Sequence, residues 1–598
     1  MTSNAGGRSA VALKAWLRAL EVTAPIARST SHTFPIVLQN LADKFGDKLA
    51  LLSERECLTY RALAERSNQY ARWALKLSLA AGDVVCLFMP NCPDYLAIWL
   101  GITRVGGTVA LLNTNLTGDS LVHSLNLVSP KHVIAGAELA DAVAAVLPRL
   151  APGLQCWANG DGNRRFARLD LEIEGINAGS LKVEECELPS IMDPALYIYT
   201  SGTTGLPKAA KVSHQRVMQW SHWFAGMLDT CASDRMYNCL PMYHSVGGVV
   251  AVGATLVNGG SVVLRQRFSA SQFWDDVVES ECTLFQYIGE LCRYLLNSPP
   301  HARETDHRLR MCCGNGLRQD IWDEFKRRFR IPRILEFYAA TEGNFSLYNC
   351  EGEPGAIGRI PSFLAHRFPV ALIKFDVATG GPLRNDQGFC LPCSANEVGE
   401  AIGRISQNPS SAGGRFEGYT DQDASDRKVL RNVFASGDAW YRTGDLMRRD
   451  ERGYYYFVDR VGDTFRWKGE NVSTAEVAEA ISKCRGVVEA LVYGVTVPST
   501  EGRAGMAAIT ISKEFRLVGF RQELAGRLPE YARPLFLRIS RELEMTATFK
   551  PKKYELSRQG YDPAATKDDI YFDDRVNQAF VKLDAALYNA IANCRVRI

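Results

Sequence analysis

The sequence predicts an α/β protein with a large N-terminal domain of two stacked α/β layers plus a β subdomain, followed by a small, mobile C-terminal α+β domain. The chain has 598 residues, several times the ~100 to 200 residues of a usual domain. Apolar strands and amphipathic helices alternate through most of it, which favours right-handed crossovers in a mostly parallel sheet. The pattern predicts an N-terminal segment at 1–34, a main domain at 35–461 and a C-terminal domain at 462–598.

The first layer is predicted from the alternation that begins near residue 59. Helical periodicity at 59–75 is followed by an apolar run at 84–89, a helix at 95–105, a strand at 108–112 and an extended stretch at 132–135. Short continuous apolar runs are typical of strands buried on both faces. The helices between them have the length of crossover connections.

The second layer is predicted after Pro194, where the same alternation resumes. The predicted strands are 196–200, 235–240, 261–264, 283–288, 309–313 and 334–338, with helices at 213–228, 247–257, 271–279 and 319–329. Between residues 352 and 453, Gly, Pro and Asn punctuate short extended pieces. This punctuation predicts a β subdomain with long loops.

The C-terminal domain is predicted from a mixed pattern of helices and strands. A helix at 474–483, strands at 487–495 and 506–511, and a helix at 518–528 form its α+β unit. A last helix is predicted at 576–591.

Composition places the chain among soluble globular proteins. Apolar residues make up 46% and charged residues 23%, close to the usual averages. The net charge is +3 with both signs dispersed, which excludes the basic field of a nucleic-acid-binding protein. Sixteen scattered cysteines form neither a disulfide framework nor a zinc ribbon. Because the N-terminus carries no secretory signal pattern, the expected compartment is the reducing cytoplasm.

The segment 10–20 has helical periodicity with one apolar stripe. The stripe consists of Leu13, Trp16, Leu17 and Leu20. Two interpretations remain open: the stripe packs on the protein body, or it contacts lipid as a surface helix at the inner face of a membrane. The strongest apolar run, 95–112, is interrupted by Arg104 and two glycines, so any membrane contact is expected to be peripheral.

One loop combines the residue types that bind a polyphosphate. The segment Tyr199-Thr-Ser-Gly-Thr-Thr-Gly-Leu-Pro-Lys208 directly follows an apolar strand. Small side chains let backbone N–H groups approach phosphate oxygens, while hydroxyls and the lysine donate charge-assisted hydrogen bonds. The loop is not a Walker A motif, because proline precedes the lysine and alanine follows it. The predicted nucleotide-binding residues are Thr200, Ser201, Gly202, Thr203, Thr204, Gly205 and Lys208.

Two further motifs follow this loop in order along the chain. They are Tyr338-Ala-Ala-Thr-Glu-Gly343 and Tyr441-Arg-Thr-Gly-Asp445. With the loop, they resemble the motifs of the adenylate-forming superfamily, which contains acyl-CoA synthetases, luciferases and peptide-synthetase adenylation domains. The resemblance covers residues 35 to 558, and Ala339 stands where the superfamily usually has glycine.

The resemblance implies a role for each motif residue. Tyr338 lies against adenine, Thr341 contacts the α-phosphate and Glu342 binds Mg²⁺. Asp445 accepts hydrogen bonds from the ribose hydroxyls, and Arg460 joins it.

A narrower resemblance is carried by three segments. Leu240-Pro-Met-Tyr-His-Ser245, Cys313-Gly-Asn-Gly-Leu-Arg318 and the stretch 459–473 resemble the forms found in fatty acid transport proteins and very-long-chain acyl-CoA synthetases. The wider superfamily usually has Asp or Lys at the hinge position that Gly462 occupies. Glycine accepts backbone angles closed to other residues, so Gly462 is predicted to be a pivot, with a plain tight turn as the alternative. The residues that this resemblance adds to cofactor binding are Gly314, Asn315, Gly316, Lys468 and Gly469.

Lys550 is the predicted adenylation lysine. Met545-Thr-Ala-Thr-Phe-Lys550 resembles the transport-protein version of the last motif, whose lysine contacts the acyl carboxylate and the α-phosphate. Lys552 and Lys553 lie close by and leave an alternative assignment open. His244 resembles a position near the acyl and adenylate groups, and is interpreted as a positioning residue rather than an acid or base.

The acyl pocket is the least defined part of the predicted site. Trp220, Trp223 and Phe224 share one helix, and Tyr243 and Val246 follow the next strand. These residues line an apolar tunnel in one interpretation and belong to the ordinary core in the other.

The sequence therefore predicts a ligase that uses ATP, Mg²⁺ and coenzyme A to form long- or very-long-chain acyl-CoA through an acyl-adenylate. Adenylation needs no protein nucleophile or general base, because the site only has to orient the carboxylate and spread the charge of the α-phosphate. Three alternatives remain open: another hydrophobic acid such as a bile-acid-like one, another acyl acceptor, or lipid uptake by acyl trapping.

Overall fold

The computed structural model of the chain describes residues 3–162, 164–201, 207–376, 379–406, 414–467, 470–498, 500, 502–544 and 553–596. The chain divides into two compact units, Met1–Pro369 with Arg404–Val429, and Val370–Gly403 with Leu430–Ile598. A domain boundary at 461/462 stays a prediction. No described helix is both long and apolar enough to cross a membrane.

Eight described strands of the first unit form one mixed sheet. Their order is Ser346–Asn349, Ile334–Ala339, Met311–Asn315, Leu284–Ile288, Arg235–Asn238, Ser261–Leu264, Leu49–Leu52 and Cys57–Thr59. The six inner strands are parallel, and each outer strand is antiparallel to its neighbour. Because ligands bind at the carboxyl ends of such strands, the segments after residues 315 and 339 lie at the edge where a site is expected.

Seven more described strands of this unit form a second sheet. Their order is Ala167–Arg168, Gln155–Asn159, His132–Gly136, Val84–Phe88, Thr108–Leu111, Pro194–Ser201 and Pro207–Ser213. All of these pairs are parallel except the last. Val84–Phe88 is buried along its whole length, as its continuous apolar sequence predicts. The two predicted α/β layers are confirmed.

Helices connect and cover these strands. The described α-helices are Ser3–Thr23, Phe34–Phe45, Tyr60–Lys76, Pro93–Arg104, Gly118–Asn126, Ala140–Val146, Leu169–Glu172, His214–Leu228, Ala251–Leu256, Phe273–Glu279, Gly289–Asn297, Gln319–Arg328 and Gln422–Asp426. Ser213 begins the helix His214–Leu228, because its hydroxyl accepts a hydrogen bond from the backbone N–H of Arg216. The helix predicted at 247–257 begins instead with a π-helical turn, Ser245–Val250.

The N-terminal helix packs on His214–Leu228 through a face made of Trp16 and three alanines. Its buried residues are Ala12, Ala15, Trp16 and Ala19, whereas Leu13 and Leu17 are 42% and 49% exposed. A Cβ on Gly226 would lie 2.5 Å from the Cα of Ala19, so small residues bring the two helix backbones together. Of the predicted stripe, Trp16 therefore packs on the protein body and Leu20 is partly buried, whereas Leu13 and Leu17 are exposed, and their contact with lipid stays a prediction.

The second unit contains an antiparallel β region, as predicted for 352–453. Its strands are Val370–Asp376, Gly381–Pro382, Val398–Arg404, Val429–Arg431, Ala439–Arg449 and Tyr454–Arg460, followed by the small pair Phe465–Trp467 and Glu470–Val472. The strand Ala439–Arg449 pairs with Tyr454–Arg460 and brings Asp445 opposite Arg460.

The C-terminal part of this unit is an α+β unit, as predicted. Its five strands are, in order, Val487–Val495, Ala504–Ile511, Phe536–Ile539, Asp569–Asp574 and Ala579–Lys582. Its described helices are Thr474–Ser482, Leu517–Arg527, Lys553–Gln559 and Ala585–Ala592. The helix predicted at 576–591 is wrong in its first half, because residues 579–582 form the last strand of the sheet.

Candidate active site

The polyphosphate loop leaves the end of the strand Pro194–Ser201. Thr200 is the register partner of Lys208, and Ser201 the partner of Pro207, so both sides of the loop are fixed by the sheet. The Nζ atom of Lys208 lies 5.6 Å above the ring centroid of Tyr419, within cation–π range. The other predicted residues of the loop lie outside the described residues: Gly202, Thr203, Thr204 and Gly205.

The turn formed by Thr341, Glu342 and Gly343 is held by three separate elements. The Thr341 hydroxyl lies 3.0 Å from that of Ser245, which begins the π-helical turn. The carbonyl oxygen of Gly343 accepts a hydrogen bond from the guanidinium of Arg216. These contacts fix both ends of the turn.

The carboxylate of Glu342 has its own partner in Tyr419. The Tyr419 hydroxyl donates to Oε1 of Glu342 at 2.8 Å. Burial, reinforced by the nearby Glu342 charge, raises the pKa of Tyr419, so the phenol keeps its proton and remains a donor at neutral pH. Lys208 and Glu342 therefore contact the same tyrosine side chain.

Tyr419 is a site residue that the sequence analysis missed. It lies in a segment that pairs with the strand after the polyphosphate loop: Lys211 N–H donates to Gly418, and Thr420 N–H donates to Ala209. No motif or residue-type pattern surrounds Tyr419 in the sequence, so a signal for it exists only in three dimensions.

His244 is half-buried and immediately precedes the π-helical turn. Its ring centroid lies 4.6 Å from that of Tyr243. The turn packs tightly against the preceding loop, because a Cβ on Gly248 would lie 2.0 Å from the carbonyl oxygen of Met242. Asn91, which the sequence patterns did not indicate either, anchors this loop. Its side chain donates to the carbonyl oxygen of Leu240 and accepts from the N–H of Met242.

Tyr338, predicted to lie against adenine, and the predicted cofactor-binding residue Asn315 lie on neighbouring strands. Asn315 ends the strand Met311–Asn315, and Tyr338 lies near the end of the adjacent strand Ile334–Ala339. The Tyr338 ring centroid is 5.9 Å from that of Phe345. Gly316 has φ +82°, a left-handed conformation that favours glycine.

The structure brings Asp445 and Arg460 together within the second unit. Nε of Arg460 lies 3.5 Å from Oδ1 of Asp445, and the carboxylate is largely buried. The backbone N–H of Asp445 donates to the Thr443 hydroxyl at 3.0 Å. This arrangement orients a carboxylate that could accept hydrogen bonds from a diol.

The remaining predicted residues, Lys468, Gly469 and Lys550, lie outside the described residues. Of the two alternative lysines, Lys552 also lies outside the described residues, whereas Lys553 is anchored. Its Nζ donates to Oδ2 of Asp463 at 3.0 Å and to the Thr474 hydroxyl at 2.9 Å.

The aromatic residues considered for an acyl tunnel occupy three kinds of environment. Trp223 packs edge-on against Trp16 of the N-terminal helix at 5.7 Å. Phe224 is buried against Phe337 at 4.8 Å. Trp220 lies under the guanidinium of Arg216 at 5.4 Å. A tunnel lined by these residues stays a prediction.

Comparison with known proteins finds one family across most of the chain. Residues 38–387 match the model of the AMP-binding enzyme family, and residues 476–550 match the AMP-binding enzyme C-terminal domain. Long-chain fatty acid transport protein 1 of Mus musculus is 41% identical over 94% of this chain and 88% of its own length. Long-chain fatty acid transport protein 2 of Rattus norvegicus is 39% identical over 96% of this chain and 92% of its own length.

Solved structures share the fold at lower sequence identity. An anthranilate CoA ligase in complex with anthranoyl-AMP has a TM-score of 0.75 at 20% identity, over 90% of this chain and 98% of that one. ATP-bound MatB from Rhodopseudomonas palustris has a TM-score of 0.73 at 23% identity, over 89% of this chain and 99% of that one. A fatty acyl CoA synthetase of Mycobacterium tuberculosis has a TM-score of 0.62 at 21% identity, over 88% and 98%.

Proposed function

Because this chain belongs to the AMP-binding enzyme family, among the long-chain fatty acid transport proteins, we propose that it is an AMP-forming ligase that makes long- or very-long-chain acyl-CoA. The observation that carries the proposal is the turn Thr341–Glu342–Gly343, whose three residues are each held by a different element. Such a turn presents a hydroxyl and a carboxylate in fixed positions, as transfer of a nucleotidyl group requires.

In the first half-reaction, an oxygen of the fatty acid carboxylate attacks the α-phosphorus of ATP. The bond from that phosphorus to the β-phosphate bridging oxygen breaks, and pyrophosphate leaves with its electron pair. The Thr341 hydroxyl and Lys550 donate to the α-phosphate oxygens, while Lys208 and the polyphosphate loop hold the leaving group. The fatty acid is already ionised at neutral pH, so no protein base is needed.

The residues fit a magnesium ion that enters with ATP. The described residues contain no cluster of three His, Cys, Asp or Glu side chains able to hold a metal, whereas Glu342 offers one oriented carboxylate beside the phosphate loop. Mg²⁺ is commonly bound by one or two carboxylates plus substrate phosphates. When bound, the ion neutralises charge on the transferring phosphate and the pyrophosphate.

In the second half-reaction, the thiolate of CoA attacks the acyl carbonyl carbon, the carbon–oxygen bond to AMP breaks, and the acyl-CoA and AMP are released. Asp445 holds the ribose of the adenylate by its hydroxyls, with Arg460 fixing the carboxylate. His244 positions the acyl end, since its place at the start of the π-helical turn is fixed by Gly248 and Asn91 packing against the loop before it.

A fatty acid is the acid that the observations favour. The relatives' names specify long-chain fatty acids. Thioesterification leaves a fatty acid unable to diffuse back across a membrane, so the same activity supports uptake by trapping.

Peripheral membrane contact at the cytoplasmic face is a second part of the proposal. Leu13 and Leu17 are exposed on a helix whose opposite face packs on the protein, which leaves an apolar edge for the lipid interface. Co-sedimentation with phospholipid vesicles tests it: the wild type should sediment more than L13S/L17S, and equal sedimentation would refute it.

The experiment that tests the ligase follows the acyl acceptor. Purified protein is incubated with Mg-ATP, a long-chain fatty acid and either free CoA or hydroxylamine, and the acyl product is quantified. We expect CoA thioester to form in preference to hydroxamate. Acyl-adenylate that accumulates and never reaches CoA would place the protein with ligases of another acceptor.

A further inference from the structure

Glu336 is a buried carboxyl group that the proposed chemistry does not use. It lies two residues before Tyr338 in the strand Ile334–Ala339, and only 2% of its surface is exposed. A carboxyl group in such a place needs hydrogen-bond partners, because burial without them is costly. The partners of Glu336 are therefore informative about its role.

A gap left by Gly314 lets Glu336 reach Tyr287 across the sheet. Gly314 is the register partner of Tyr287 on one side and of Glu336 on the other. A Cβ on Gly314 would lie 2.5 Å from Cδ2 of the Tyr287 ring, so the ring occupies the space of the absent side chain. The Tyr287 hydroxyl then lies 2.5 Å from Oε2 of Glu336.

The other oxygen of Glu336 holds the loop after the strand. Oε1 accepts hydrogen bonds from the backbone N–H groups of Gly316 and Leu317, the latter at 3.2 Å. The left-handed φ of Gly316 belongs to the same turn. A Cβ on Gly289 would lie 1.7 Å from the carbonyl oxygen of Gly316, so the loop is also packed closely from its far side.

We propose that Glu336 and Tyr287 form a positioning pair that fixes the loop 314–317 for binding of the adenine of ATP. The inference rests on the proposed adenylation, in which Gly314, Asn315 and Gly316 bind the nucleotide. Glu336 acts through the loop and touches no reacting atom. Removal of its carboxyl group leaves two N–H donors without their acceptor and the loop that carries them less ordered. Part of the free energy of ATP binding is then used to order the loop, so the affinity for ATP falls.

Glu336 is the acceptor in all three of its hydrogen bonds. Burial raises the pKa of Glu336 to about 8, against the opposing effect of the Tyr287 hydroxyl and the two N–H groups. The Tyr287 hydroxyl donates to Oε2, while Oε1 accepts from both N–H groups. A glutamine keeps an oxygen that accepts from the two N–H groups and turns its NH₂ group toward the tyrosine oxygen, whereas an alanine keeps no acceptor.

The test compares ATP binding by the wild type, E336Q, E336A and Y287F, measured by isothermal titration calorimetry with no acid present. E336A should weaken ATP binding about tenfold or more, since buried N–H donors lose their acceptor. E336Q should stay within about twofold of the wild type and Y287F should fall between them. In steady-state kinetics, E336A should raise KM for ATP and leave KM for the fatty acid unchanged.

D234A is the matched control. Asp234 is a buried carboxylate at the opposite ends of the strands in the same sheet, paired with Arg310 at 2.7 Å. D234A should lower the melting temperature and leave ATP affinity unchanged.

Equal ATP affinity of folded E336A and the wild type would overturn the role of Glu336. So would an equal loss in E336A and D234A, which is what a purely structural carboxyl group gives. If E336A does not fold, the ATP affinity of Y287F provides the test. A severalfold loss supports the positioning pair of Glu336 and Tyr287, and unchanged affinity overturns it. The two claims fail separately, because a wild type that binds ATP but makes no acyl-CoA overturns the ligase and leaves this comparison intact.

Discussion

The hydroxyl of Tyr419 donates a hydrogen bond to Oε1 of Glu342 across 2.8 Å. The backbone of Tyr419 bridges to Ala210, in the strand that follows the polyphosphate loop. Lys208 lies above the ring of the same tyrosine at 5.6 Å. One side chain thus connects the lysine of the first motif to the carboxylate of the second.

Y419F should raise the Mg²⁺ concentration at which the reaction reaches half of its maximal rate. Without the hydroxyl, Glu342 loses the donor that orients it, so we expect kcat/KM for Mg-ATP to fall about tenfold. The measurement is pyrophosphate release as a function of Mg²⁺ concentration. Y237F is the matched control, because it removes a 3.0 Å hydrogen bond to Asp276 elsewhere in the unit. An unchanged Mg²⁺ dependence in Y419F would contradict the role of Tyr419.

The two candidate lysines should separate by half-reaction. K550A should suppress acyl-adenylate formation by several orders of magnitude and leave thioesterification of supplied acyl-adenylate intact. Lys553 is committed to Asp463 and Thr474, and its half-exposed ion pair is worth about 1 kcal/mol or less. K553A should therefore slow either step by less than about tenfold. Single-turnover kinetics of each step provide the measurement, and a reversed pattern would make Lys553 the adenylation lysine.

Gly462 has φ +97°, and no atom lies within 4 Å of where its Cβ would be. The backbone angle, not crowding, therefore favours glycine here. G462P fixes φ near about −65° and should impair one half-reaction far more than the other, if Gly462 is the pivot. G462A is the control and should keep both steps, since alanine still reaches positive φ at a cost of about 1 kcal/mol. A folded G462P with both steps near wild type, checked by a melting curve, would show an ordinary turn.

Stability should depend on the titration of Glu336. Burial raises its pKa from an ordinary value near 4.5 to about 8. Between these values the folded state holds a proton that the unfolded state has lost, so the free energy of unfolding falls as pH rises from 5 to 8. E336Q has no carboxyl group to titrate at this position, so its free energy of unfolding should lack this fall with pH. The melting-temperature difference between wild type and E336Q should therefore change across that range, and a constant difference would refute the assignment.

The motif residues could be predicted because each chemical group lies in a short contiguous segment. Thr341 and Glu342 share one hexapeptide, and the parallel strand order then places that segment at a carboxyl edge. Tyr419 could not be predicted, since 77 residues separate it from Glu342 and only sheet pairing brings it back. Glu336 was missed for a related reason: its partners lie on two other strands and meet across Gly314.

The N-terminal helix shows a second limit of sequence patterns. Periodicity identifies large apolar residues and so selected Leu13 and Leu17, which are exposed. The buried face instead uses alanines, because close approach to Gly226 leaves no room for larger side chains. Small residues carry little hydrophobic signal, so the sequence alone does not identify the alanine side as the packed face.

Acid-dependent pyrophosphate release from Mg-ATP tests the central claim most directly. The wild type is assayed with acetate, medium-, long- and very-long-chain fatty acids, an amino acid and a ring-bearing bile acid, each with and without CoA. We expect release to depend on the acid and kcat/KM to rise with chain length, because each buried CH₂ contributes ~0.8 kcal/mol before entropy and packing costs. With CoA, AMP and acyl-CoA should form in equal amounts. Pyrophosphate release that does not depend on the added acid would contradict a fatty acid–CoA ligase, and so would a preference for acetate or the amino acid.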